Sequence, residues 1–237
     1  VFQKVLELSF PGHPYGRPVL GLDSSLKTMN SKGMRRYHQR RYQGPNCCLA
    51  VAGANPGDLV TEIQGSALAA LSGGANASGQ SSTDADTSSA EQLPFQSRRE
   101  CHSFPRLESA RLLMVWPAAA AADPIGVAGA DLATTILSEG RRSRLVQRLR
   151  EDLQIVESID MDVTTLEQGS LVMLEACCPE EQLDRVEQEI HQELRRSAEE
   201  PLLEEELNRA LQLVGNGYRF SLEAPGSVAA CAGSQAV

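Results

Sequence analysis

The sequence predicts an α+β fold, and three observations carry that expectation. Apolar residues recur at helical spacing over 180–197 and 202–222. Residues 154–163 alternate and 169–177 run apolar, which reads as a β-hairpin-like pair of strands. Strands and helices do not alternate one for one, so a doubly wound parallel sheet is not expected.

The elements follow in order. Residues 1–8 read as a helix, entered at Val1 without a Met, as if the chain began inside the element; this opening does not read as a signal peptide. Pro11 to Pro18 is a Pro/Gly-rich loop. A helix is expected over about 31–41, capped by Asn30 or Ser31, whose side chains can accept from its free backbone N–H groups. Cys47 to Gly53 reads as a buried strand. Asn55, Pro56 and Asp58 then suit the start of another helix: a cap, a first-turn proline and an acid at the positive end.

Residues 72–92 hold no large apolar side chain and are rich in Gly, Ser, Ala, Thr and Asp. Such a segment cannot bury enough surface to offset its ordering entropy, so a flexible linker is expected over 72–99, between domains at 1–71 and 100–237. After it, Arg111 to Pro117 is a strand, and Asp123-Pro124 opens a helix that ends near Gly140. A helix at about 143–152 places Leu145 and Leu149 on one face. In the 154–163 strand, Ile155, Glu157, Ile159, Met161 and Val163 share a face. Leu183, Val186, Ile190 and Leu194 line one helix; Leu203, Leu207, Leu211, Val214 and Tyr218 line the next.

Composition excludes several roles. The formal charge of −9 gives no broad attraction to nucleic acid or anionic lipid. The longest apolar stretches fall well short of the ~20 residues of a membrane span. Hydrophobic residues make up 41% but aromatics only 4%, so aliphatic side chains must fill the core. Of six Cys, Cys47-Cys48 and Cys177-Cys178 are adjacent in strand-like runs and would point to opposite faces. Neither pair forms a natural disulfide or metal clip, so small buried thiols in a cytoplasmic-like reducing compartment are expected.

No catalytic machinery is legible. The four His, at 13, 38, 102 and 191, include no pair one helical turn apart, so no metal site is expected. His191 reads as a polar position on an amphipathic helix, and His13 as structural in its loop. There is no nucleophile elbow and no P-loop. Glu204-Glu205-Glu206 reads as a solvated helix face. One cluster interrupts the acidic background: Arg141, Arg142, Arg144, Arg148 and Arg150. These arginines either pair with the many carboxylates or anchor the carbonyls or carboxylate of a peptide.

Several segments together resemble the pitrilysin/insulinase-type zinc metallopeptidases, which include mitochondrial processing peptidase. They are His13-Pro14-Tyr15-Gly16-Arg17-Pro18-Val19-Leu20-Gly21, Met34 to Tyr42, Asn46 to Gly53, Leu137 to Leu145, Arg148 to Glu151 and Gly217 to Glu223. The resemblance implies a subunit of two similar α+β halves that close on an extended peptide, with zinc held by His-x-x-Glu-His in the first half. Those ligands would lie upstream of Val1. The chain then resembles the tail of the first half and most of the second, substrate-enclosing half, without a catalytic or zinc site. The second half often carries a substrate-holding Arg, matched by Arg150, and a Tyr seven residues later, here Glu157. A carboxylate there would repel a developing oxyanion and can instead pair with Arg150. The resemblance thus implies a portion of a zinc endopeptidase or a non-catalytic, substrate-binding partner subunit. A peptide is the implied ligand, and a homo- or heterodimer with an active homologue is a further implication.

Overall fold

The computed structural model describes residues 2–53, 58–72, 93, 95–104 and 107–235. In chain order these hold α1 (Phe2–Ser9), α2 (Asp23–Thr28), α3 (Ser31–Arg41), α4 (Leu59–Gln64), β1 (Ala110–Ala118) and α5 (Pro124–Ser138). A π-helical segment (Val146–Asp152), β2 (Ser158–Thr164), β3 (Ser170–Cys178), α6 (Leu183–Glu199), α7 (Glu204–Ser221) and α8 (Pro225–Gln235) follow. Helices plus a small antiparallel sheet make the fold α+β, as the periodicities require. The linker residues 73–92, with the Gly73-Gly74 pair, lie outside the described residues, as do Asn55 and Pro56.

The chain forms two compact units, one of residues 1–19 with 90–216, the other of 20–89 with 217–237. The first is built on a sheet of order β1-β3-β2, antiparallel throughout. β3 places Leu174 opposite Met114 and Met161, and Ala176 opposite Leu112 and Ile159. These residues share one face, and Leu145, Leu149, Val186 and Ile190 from the π-helical segment and α6 close over it. All four closing side chains are at most marginally exposed, as are Leu174 and Ala176.

On the other side α1 and its loop pack against β3. Phe10 is 1% exposed and meets Tyr15 and Phe95 edge-on, with Leu6 and Leu171 beside it. The loop is pinned by polar contacts too. His13 Nδ1 accepts from the Tyr15 backbone N–H, which leaves Nε2 3.1 Å from Gln168 Oε1. The Tyr15 hydroxyl accepts from the Gln168 backbone N–H at 3.1 Å. Gly16 is buried against the Phe10 carbonyl so closely that a Cβ there would overlap it. His13 is thus structural in its loop. By contact, residues 1–19 belong to the same compact unit as the sheet.

The second unit contains no buried residue among those described. Asn30 caps α3 as expected, accepting from Gly33 N at 2.9 Å. Asp58 itself, accepting from Thr61 N, caps α4. The strand expected over Cys47 to Gly53 does not form among its described residues. Cys47 and Cys48 are exposed, and Leu49 and Val51 are about half exposed. A strand needs a neighbour for its backbone groups, and no described segment pairs with this one.

Two further expectations are corrected. On α7 only Ala210 is buried, while Leu211 and Tyr218, and Leu203 just before the helix, are exposed, so the apolar stripe there is not a core face. In the 154–163 segment Ile155 and Val156 are both buried, which breaks the alternation. Glu157 is therefore turned away from the face that holds Ile159 and Met161. Glu157 N donates to the Cys177 carbonyl while Ser158 pairs with Cys177, so two residues stand opposite one where the alternation breaks.

Candidate functional site

The arginine cluster lies on the connection from α5 to β2. α5 begins at Asp123, which accepts from Gly126 N, and ends before Gly140, whose φ of 78° suits a residue without Cβ. Ser143 Oγ then donates to the Gly140 carbonyl at 2.7 Å. The following turns widen: Leu153 N donates to Arg148 O, five residues back, and Ile155 N to Leu149 O. The wide turns keep Val146 and Leu149 inside and leave Arg148 and Arg150 partly exposed.

Every arginine of the cluster is paired. Arg144 makes a two-toothed pair with Glu206, with both contacts at 2.8 Å and both side chains mostly buried. Arg148 reaches Glu189 at 3.0 Å, and Arg141 and Arg150 share Glu151 at 2.7 and 2.9 Å. Arg142 makes only a loose contact of 3.8 Å with Glu205. Of the two readings of this cluster, the geometry gives intrachain pairing. It also corrects Glu206, which is not part of a solvated face but ties α7 to Arg144, just before the π-helical segment. Arg144 holds the Glu206 carboxyl below the usual carboxylate range, and Arg141, with Arg150, does the same for Glu151. Beneath lies Glu193, 8% exposed, whose carboxyl is pushed up by burial, with Arg196 no nearer than 3.7 Å.

Arg150 and Glu157 are not paired with each other. Arg150 is held by Glu151, whereas Glu157 accepts from Ser109 Oγ at 2.9 Å and faces Cys177 Sγ at 3.5 Å. Burial, reinforced by the Glu157 carboxylate, raises the Cys177 thiol, so it stays a protonated donor rather than a nucleophile. Arg111 pairs with Glu175 on the same sheet face. Desolvation and Glu175 together raise the Asp162 carboxyl. Ser109, Arg111 and Glu175 were not singled out in the sequence. The hairpin register, which sets Ser158 opposite Cys177, was the one available signal.

The histidines do not converge. His13 is engaged in its loop, His38 stacks on Tyr42, His102 contacts Glu100, and His191 on the exposed face of α6 is 4.0 Å from Glu187. Among the described residues no three His, Cys, Asp or Glu side chains gather as metal ligands. The donor set present does not fit a zinc ion. A shallow groove along α6, lined by Gln188, His191, Gln192, Arg195, Arg196 and Glu199, has no converging catalytic groups. No helix among the described residues is long and apolar enough to cross a membrane.

Comparison with known proteins places this arrangement. No curated protein matches the chain. Among solved structures, the peptidase M16 inactive domain of Pseudomonas fluorescens is similar with a TM-score of 0.68 at 13% identity, over 98% of this chain and 53% of that one. A protease from Helicobacter pylori is similar with a TM-score of 0.67 at 16% identity, over 96% of this chain and 54% of that one. At such identities the likeness is one of fold, and the chain spans about half the length of either structure. The family model of the peptidase M16 inactive domain matches residues 28–214, which run through both compact units and include the paired arginines. The chain belongs to the peptidase M16 inactive-domain family.

Proposed function

We propose that this chain is the non-catalytic, substrate-enclosing portion of a peptide-cleaving zinc endopeptidase of the pitrilysin/insulinase type. The observation that carries the reading is the family match to an inactive domain over 28–214. The scattered histidines support it: zinc chemistry would have to be supplied by residues outside those described. The chain itself would contribute surface for an extended peptide. Arg150 is exposed enough to exchange Glu151 for a peptide carbonyl, because a surface ion pair is worth little.

The test is metal analysis and hydrolysis of a quenched fluorescent peptide by the purified chain. The expected result is far less than one equivalent of zinc and no cleavage. Tight binding of one equivalent, or zinc-dependent cleavage, would overturn the reading.

A second reading is a non-catalytic partner subunit that binds substrate for an active homologue, as a heterodimer. Glu157 favours it: an acid engaged by Ser109 and Cys177 stands where the resemblance places a Tyr donor. The coding sequence upstream of Val1 separates the two. His-x-x-Glu-His there means a peptidase; a first half without it means a partner.

A further inference from the structure

Helix α6 carries an acid where its core face calls for an apolar residue. Val186, Ile190, Glu193 and Ser197 follow at i, i+4, i+7 and i+11, so they lie along one stripe. Val186 and Ile190 are fully buried, and Glu193 continues them at 8% exposed. Among the described residues no hydrogen bond reaches its carboxyl. Its one ion-pair neighbour, Arg196, stands 3.7 Å away while holding Glu200 at 2.9 Å. One turn on, the Ser197 Oγ is buried too and finds no protein partner. A buried carboxyl without hydrogen bonds is tolerable as the neutral acid. As the anion it is costly unless it regains water or a cation.

The charged groups around Glu193 come from α6 and from the connection that precedes β2. Arg196 and Glu200 belong to α6 and its C-terminal end, Arg144 stands just before the π-helical segment, and Arg148 lies within it. Burial pushes the Glu193 carboxyl up, and the three guanidinium groups offset this only in part. Arg144 is already engaged: its Nε and Nη2 both donate to Glu206 of α7 at 2.8 Å. That pair matters to α7, because little else holds the helix. Only Ala210 of α7 is buried, and Leu211 and Leu213 are exposed. The other polar tie is Arg209 Nη1, which donates to the Glu139 carbonyl at 2.8 Å, while Arg209 Nη2 is buried without a protein partner. One guanidinium, Arg144, thus serves the acid that fastens α7 and faces a second acid that has no close cation of its own.

We infer that Glu193, Arg144 and Glu206 form a pH-sensitive latch on residues 204–216 of α7. With Glu193 neutral, Arg144 is given wholly to Glu206 and the helix is fastened. Once Glu193 loses its proton it competes for Arg144 and draws in water, and α7 loosens while the sheet and α6 stay formed. The direction follows from linkage. The proton is held more tightly in the closed, buried form than in the open one, so rising pH favours the open form. Glu206, held below the ordinary carboxylate range, stays ionised throughout and does not reverse the effect. The latch concerns motion of the fold and does not depend on the peptide-handling role proposed above.

Amide hydrogen exchange on the full chain, corrected for the intrinsic effect of pH, tests it. Between about pH 5 and about pH 8, protection over 204–216 should fall about tenfold or more, while β3 keeps its protection. Glu193→Gln, which carries a neutral side chain of the same shape, should keep α7 protected at both pH values. Glu206→Gln should leave it poorly protected at both. Protection in β3 reports whether each variant is folded; should Glu193→Gln lose it, Glu193→Met takes its place. Equal protection of α7 at the two pH values overturns the inference. So does a loss shared equally by β3, or a pH response that survives when Glu193 is replaced.

Discussion

The two compact units were built by one sequence under similar local rules, yet they ended in different physical states. In the first, sheet, α1, α5 and α6 bury Leu145, Leu149, Leu174, Val186 and Ile190 almost completely. In the second, α3 and α4 form with side-chain caps and α2 without one, but no described residue is buried. Capping and turn chemistry decide where a helix starts and stops. Burial is decided by whether a complementary layer lies opposite. A helix can therefore be drawn correctly from sequence while nothing is learned of what it packs against.

That contrast can be broken at graded strength by denaturant unfolding. Leu174→Ala should cost about 3–4 kcal/mol, since it opens a cavity at the centre of the sheet. A loss below about 1 kcal/mol would mean that the sheet is not the stable unit. Arg144→Ala should cost about 2–3 kcal/mol, because it strands the mostly buried Glu206. The pH profile sharpens this. Glu206 is held below its unfolded value, so its contribution is full above about pH 4.5 and is lost as pH falls through the depressed folded value. Glu193 has the opposite sign. Its folded value is raised, so stability falls as pH rises from the unfolded value through the folded one. Glu193→Gln should consequently be neutral or stabilising at pH 7, where Glu206→Gln is destabilising. Tyr15→Phe should remove about 1 kcal/mol by leaving the Gln168 N–H without its acceptor. Met34→Ala, in the exposed helix α3, should change stability by less than about 0.5 kcal/mol.

Legibility from sequence followed the same division. The caps at Asn30 and Asp123 and the buried Val186/Ile190 stripe were readable because each depends on residues a few positions apart. The Cys47 to Gly53 strand was misread because apolar runs report a wish for burial, and a sheet needs a second chain segment to grant it. At the candidate site the arginines were found, but their partners were not. Glu189 and Glu206 lie 41 and 62 residues away, and many other carboxylates were equally eligible on charge alone. Glu157 was placed on the wrong face because the period-two reading cannot see that Glu157 and Ser158 both stand opposite Cys177.

The docking of α1 has a consequence in time. His13 and Gln168, which clasp the loop after α1 to the turn between β2 and β3, are 155 residues apart in the chain. At ordinary synthesis rates of about 5–20 residues per second, α1 leaves the ribosome on the order of ten seconds before its binding face has been made. During that interval Leu6 and Phe10 have no native site to enter. The order of manufacture thus leaves α1 waiting for a partner made 155 residues later, and a chaperone that shelters short apolar stretches would matter for it.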